Sequence, residues 1–340
     1  MTMKALFCYS KNKFKLEEID RPEIQEDEML LEMIYTGLCG SDIVKIFDPE
    51  IKKPAVFGHE VVGKVIETGK NVTGFNVGDI VAAAHHIPCY SCHYCLHGNH
   101  SMCRHFKETN IYPGSFCQYI RLSDEHIRYT TFKIPRGTDL IESLFIEPLA
   151  CCIRAVDKIF FRKNDIFSVV GTGVIGMLFI QLVKLSGGRV IAIDLDSSRL
   201  SRARDMGAEH IINPSSRNTL REVKNITEIG ADVAILTVTN KNTMGEALSY
   251  VRDGGTIIIF GASGKESRIE VDFEKVYKKE LVIKSSYSAT PEELKLAYDM
   301  VRSKKIDLSF LKSEPILLSD FKKGLDLMLE RKIYKAIFKL

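Results

Sequence analysis

The sequence predicts an α/β protein in two parts, an antiparallel barrel-like domain of short strands and a doubly wound α/β domain that binds a dinucleotide. Three observations carry this. Ile166 to Asp194 reads as strand, glycine turn, helix, strand and acid. Up to about residue 135 the chain is short strands broken by turns, and from Ile166 onward strands alternate with helices.

The central stretch has the most defined parts. An apolar β-branched run, Ile166 to Val170, enters the turn Gly171-x-Gly173-x-x-Gly176, with Val174 and Ile175 opening a helix. One glycine makes the turn, one lets backbone approach a pyrophosphate, and one lets helix pack on strand, while the helix N-terminus attracts phosphate. Asp194 ends the second strand 18 residues after Gly176, where a carboxylate binds ribose hydroxyls. The alternative is a structural glycine turn. Ile166 to Val183 is also 18 residues without a charge, long enough for a membrane span. Ser168, Thr172, Gln181 and three glycines interrupt it, so a strand and helix buried in a parallel sheet fit better.

Strand-like runs in the first part are Met29 to Thr36, Val61 to Ile66, Gly78 to Ala84 and Phe116 to Leu122. Asp139 to Phe160 reads as helical with a break at Pro148. Later strands are Val190 to Asp194, His210 to Asn213, Asp232 to Val238, Thr256 to Phe260 and Leu281 to Ser285, with helices such as Ser197 to Met206 and Asn242 to Val251 between them. The segment Gly255 to Phe260 fits either an exposed edge strand or a buried interior one. The helical Pro291 to Ser303 and Ser319 to Arg331 and the strand-like Lys335 to Leu340 return to the first domain.

Composition narrows function. In 340 residues, 45% hydrophobic and 27% charged, Lys and Arg exceed Asp and Glu by only 3, so nothing points to nucleic acid or an anionic membrane. No secretory signal is read at the N-terminus, and the nine cysteines are an odd number, which favours thiols used on metals in the cytoplasm over a disulfide framework.

Cys89, Cys92, Cys95 and Cys103 lie within 15 residues and offer four soft ligands for a closed zinc site. An iron–sulfur run would continue x3-Cys-Pro, and a nucleic-acid finger would carry more cations than Arg104 and Lys107. His85, His86, His93, His97, His100 and His105 read as solvated loop histidines, because the thiols already close that site. A dispersed second set comprises Cys39, His59, Glu60 and Glu147, residue types from which a catalytic zinc takes about three ligands.

Together these motifs resemble the zinc-dependent medium-chain dehydrogenases over nearly the whole chain. Gly58-His59-Glu60-x2-Gly63-x5-Gly69-x2-Val72 is similar to the family's zinc signature, and within the family Glu147-Pro148 is similar to the polyol branch, which includes sorbitol and galactitol-1-phosphate dehydrogenases. The resemblance implies a GroES-like catalytic domain over 1–147 with the zinc lobe at 89–103, a Rossmann domain over 148–286, and a return to the catalytic domain over 287–340. It implies two zinc ions per chain, one at Cys39, His59 and Glu60 with Glu147 binding directly or through water. Hydride would pass between NAD and a secondary alcohol of a polyol, sugar acid or sugar-alcohol phosphate. Alternatives are a general alcohol or L-threonine dehydrogenase and a non-catalytic NAD-binding regulator.

Further roles follow from the same resemblance. Ser41 is similar to the family's proton-relay hydroxyl, but Val44 stands where classical members carry a His, so Glu60 or Glu147 through water is the substitute route. Lys45 stands where galactitol-1-phosphate enzymes carry Arg, and a cation there suits a phosphate or carboxylate on the substrate. Ser286 replaces an Arg that sorbitol dehydrogenases use on the polyol. Asp194 favours NAD over NADP by repelling the extra phosphate, and Arg199 moderates that preference or sits on an exposed helix face. A homodimer or homotetramer is expected from resemblance.

Overall fold

The computed structural model describes residues 1–261 and 269–340. They form two compact units, Met1–Ala150 with Ala289–Leu340, and Cys151–Ser288.

The first unit is built on an antiparallel sheet with neighbours Ile337–Lys339, Met29–Gly37, Glu60–Thr68, Ile80–Ala83 and Thr131–Lys133; Tyr119–Leu122 also pairs with Met29–Gly37. Alternating apolar residues of these strands bury Met29, Leu31, Val61, Val65, Val81 and Ile120 in one core. The hairpin Thr2–Ser10 with Lys13–Asp20, which the sequence reading passed over, packs Met3, Ala5, Leu6 and Cys8 onto the same core. Its second strand keeps a charged outer face, which masked it.

The second unit carries a parallel sheet in the order His210–Ile212, Arg189–Ile193, Ile166–Val170, Ala231–Leu236, Val251–Ile259, Val282–Ser285. That order reverses beside Ile166–Val170, the switch point at which doubly wound sheets bind ligands. The apolar run at Thr256 to Phe260 therefore belongs to an interior strand, and Val282–Ser285 is the edge.

Pro148 does not break its helix. Ile146–Asp157 runs through it, with Pro148 at the third helical position, where a missing N–H costs no intrahelical bond. The interruption falls earlier, between Leu140–Ser143 and Ile146.

Candidate functional site

The helix Gly40–Phe47 begins with Cys39 at its N-cap, and the strand Glu60–Thr68 begins one residue after His59. Their start points bring the ligand atoms of Cys39, His59 and Glu60 within 4.8 Å of one another. Asp42, buried in the first turn of that helix, sets the geometry. Its Oδ1 lies 3.3 Å from His59 Nδ1 and accepts the Gly58 N–H at 3.4 Å, while Oδ2 accepts the Cys39 N–H at 3.3 Å. One carboxylate thus ties two of the three residues together and leaves His59 Nε2 as the nitrogen available to a metal. Burial disfavours the charged His59, yet Asp42 and Cys39 outweigh it and raise its pKa well above the ordinary value.

Glu60 has a partner that sequence reasoning missed. Lys335 Nζ lies 2.6 Å from both Oε1 and Oε2, and both side chains are buried. Lys335 comes just before the strand Ile337–Lys339, whose Ile337 pairs with Gly37, and Gly37 pairs in turn with Glu60. A Cβ on Gly37 would collide with Glu60 Oε2, so the missing side chain gives the carboxylate its space. Burial opposes the charge on Lys335, but Glu60, Cys39 and Glu147 reverse that and raise its pKa. The signal was a lysine inside the apolar run YKAIFKL, a pattern that a surface strand also produces.

Glu147 lies in the first turn of Ile146–Asp157 and is not one of the three converging residues. It lines, with Glu60, a pocket of about 10 Å³, roughly room for one water. Ser41 and Val44 are exposed on Gly40–Phe47. Lys45 is partly buried on the same helix, three residues after the buried Asp42.

The thiol lobe is separate. Sulfur–sulfur distances are 3.5 Å for Cys89 and Cys103, 3.6 Å for Cys92 and Cys95, and 4.0 Å for Cys89 and Cys95. A tetrahedron with zinc–sulfur bonds of about 2.3 Å has edges of about 3.8 Å, so the four sulfurs fit a zinc ion. Hydrogen bonds from Ser91 and Cys92 lower the pKa of the Cys89 thiol and so favour the thiolate that a metal needs, while burial raises that of Cys95.

The histidines do not all behave as solvated loop residues. His85 is buried and His86 partly buried, and their rings join His59 and Phe106 in a continuous stack. His105 pairs with Glu125 at 2.8 Å, and His93 and His97 are exposed.

In the second unit Gly171 has φ of 89°, a left-handed conformation that glycine adopts freely. Gly173 caps the helix Val174–Leu185 with no side-chain acceptor, leaving first-turn N–H groups for a ligand. A Cβ on Gly176 would strike Gly171 O, whereas one on Gly173 would meet only an Arg199 guanidinium nitrogen, at 3.8 Å. Asp194 is fixed from both sides. Its Oδ2 accepts from Thr172 N at 2.7 Å and Thr172 Oγ1 at 2.9 Å, and its Oδ1 accepts from Asp196 N at 3.0 Å.

A switch-point glycine turn with an acid on the next strand, and a mixed sulfur, nitrogen and oxygen ligand set in the other unit, define a metal-dependent, dinucleotide-linked oxidoreductase. Comparison with known proteins agrees. Residues 25–135 match the alcohol dehydrogenase GroES-like domain and residues 174–303 the zinc-binding dehydrogenase family. A sorbitol dehydrogenase of Bacillus subtilis is 33% identical over 80% of this chain and 78% of its own. An L-threonine 3-dehydrogenase of Caldanaerobacter subterraneus is 32% identical over 79% of each. A structure from Sinorhizobium meliloti, described as a zinc-binding dehydrogenase bound to NADP, superimposes with a TM-score of 0.88 at 25% identity, covering 100% of both chains. The chain belongs to the zinc-dependent medium-chain dehydrogenases and is a zinc-dependent alcohol or polyol dehydrogenase by family. Among the described residues no helix is long and apolar enough to cross a membrane.

Proposed function

We propose that the chain oxidises a secondary alcohol of a polyol, with NAD as the acceptor, and that its substrate carries a phosphate or carboxylate. The convergence of Cys39, His59 and Glu60 carries the first part, together with similarity to proteins named sorbitol dehydrogenase. When bound, zinc supplies Lewis acidity to a substrate hydroxyl and NAD supplies the hydride acceptor.

The chain's own residues divide the remaining work. Cys39 and His59 hold the ion, and Asp42 keeps His59 in the required tautomer. Lys335 Nζ bonds both oxygens of Glu60 and holds the carboxylate in place at the third ligand position. The proton released from the hydroxyl leaves through water and Glu147, which lines a one-water pocket beside Glu60 and is not one of the three converging residues. Gly171, Gly173, Val174, Ile175 and Gly176 cradle the pyrophosphate, Arg199 stands over that turn, and Asp194 takes the ribose hydroxyls and favours NAD over NADP. Cys89, Cys92, Cys95 and Cys103 hold a structural zinc.

Lys45 carries the substrate assignment, because a partly buried cation on the helix that Cys39 caps suits an anionic group on the substrate. A neutral polyol and its phosphate or carboxylate derivative, compared by kcat/KM with wild type and Lys45→Met, test it. We expect a preference of tenfold or more for the anion, about 1.4 kcal/mol, lost in the variant. Equal preference in wild type contradicts the anionic assignment, and faster turnover of L-threonine favours the second reading, supported by the threonine relative. We also propose a cytoplasmic homodimer or homotetramer; the edge strand Val282–Ser285, with Val282 and Ile283 exposed, supports pairing.

A further inference from the structure

We propose that His85 and His86 are positioning residues that tie the ring of His59 to the core of the thiol lobe, so that the geometry of the Cys39–His59–Glu60 centre depends on the lobe's packing. The inference rests on the reading that this centre holds a metal.

Four rings form an unbroken column. Centroids are 4.3 Å apart for His59 and His85, 3.6 Å for His85 and His86, and 4.7 Å for His86 and Phe106, with interplanar angles between 35° and 37°. Phe106 is fully buried in the small cluster that contains Cys95 and Cys103, so the column ends inside the lobe.

Directed bonds anchor the column at the His86 ring and at the backbone of His85 and Ile87, while the Nδ1 of the His85 ring is buried with no hydrogen-bond partner among the described residues, so packing alone holds that nitrogen. His86 Nδ1 donates to Thr109 O at 2.9 Å, and Ile87 N donates to Thr109 Oγ1 at 3.0 Å, which pins the segment to the residue that ends the lobe helix Arg104–Glu108. On the other side His126 Nε2 donates to His85 O at 3.1 Å, while the Ser123 hydroxyl donates to His126 Nδ1 at 2.7 Å. An apolar ring in place of His86 would keep the stacking but lose the Thr109 anchor.

His59 needs such support. Asp42 holds one edge of its imidazole at 3.3 Å but leaves tilt about that edge open. Face contact with His85 closes that freedom, and close-packed interiors transmit displacements rather than absorb them. Loosening the lobe would therefore tilt His59 and move the nitrogen offered to the metal.

The test uses the full metal-loaded chain with cobalt in the Cys39 centre and zinc in the lobe. Chelator competition gives metal retention, and the visible d–d bands of the cobalt report ligand geometry. We expect His86→Ala to weaken retention at the Cys39 centre about tenfold or more and to shift the bands, as loss of an outer-shell partner does. NAD binding stays unchanged, and His86→Phe recovers most of the retention. Phe106→Leu, which thins the column at its lobe end, moves both readouts in the same direction and serves if His86→Ala does not fold. Lowered thermal stability with unmoved retention and spectrum overturns the proposal. A wild-type chain that retains a single metal overturns the underlying reading and the proposal with it, whereas two metals and an unmoved variant overturn the proposal alone.

Discussion

Lys335 Nζ sits 2.6 Å from each carboxylate oxygen of Glu60, and the pair is buried at the centre where Cys39 and His59 converge. Removing one partner leaves an uncompensated buried charge, which costs on the order of 3–5 kcal/mol. Lys335→Met should therefore lower the melting temperature strongly and reduce zinc at this centre. Adding Glu60→Gln should recover much of the stability and none of the zinc. Thermal denaturation with zinc counted per chain checks both.

Gly173 and Gly176 separate folding from coenzyme binding. Gly176→Ala places a methyl against Gly171 O and should destabilise the second unit. Gly173→Ala meets only the end of Arg199, so its melting temperature should stay near wild type while the KM for NAD rises about tenfold or more. Calorimetry and coenzyme titration distinguish them.

Asp194→Asn removes the charge but leaves an oxygen for the Thr172 donors. The ratio of kcat/KM with NAD to that with NADP should fall at least about tenfold, 1.4 kcal/mol of discrimination. An unchanged ratio would show that Asp194 does not select the coenzyme.

Asp139 caps the helix Leu140–Ser143, accepting from Ile141 N at 2.9 Å and Glu142 N at 3.1 Å, and lies 2.6 Å from Lys312 Nζ. Burial raises its pKa, but Lys312 and the cap bonds outweigh this and lower it below 3.8. A carboxylate whose folded pKa lies below its unfolded value adds stability that is fully present above the unfolded value and lost as pH falls through the folded one. Asp139→Ala should thus cost about 0.5–2 kcal/mol at neutral pH. The gap from wild type should close below about pH 4 in denaturation curves across acid pH.

The sheet of the second unit was legible because parallel strands buried on both faces read as unbroken apolar runs, as at Ile166 to Val170. The thiol lobe was legible because its four cysteines are neighbours in sequence. Lys335 was not, because it meets Glu60 only through the register that places Ile337 beside Gly37, 300 residues away. The burial of His85 and His86 was hidden for a related reason. A loop histidine and a stacked one look alike in sequence, and only the return of Phe106 and Thr109 encloses them. The Pro148 break was misplaced because proline interrupts a helix only beyond its first turn.

The proposed activity requires zinc at Cys39, His59 and Glu60 for NAD-linked oxidation of a polyol. The most direct test measures NADH formation from a polyol by wild type and Cys39→Ser, with zinc counted per chain and NAD affinity measured alongside. The expected result is two zinc ions in wild type, one in the variant, unchanged NAD affinity, and a loss in kcat/KM of at least about a hundredfold, about 2.7 kcal/mol. Undiminished turnover in a variant that has lost that zinc would contradict it.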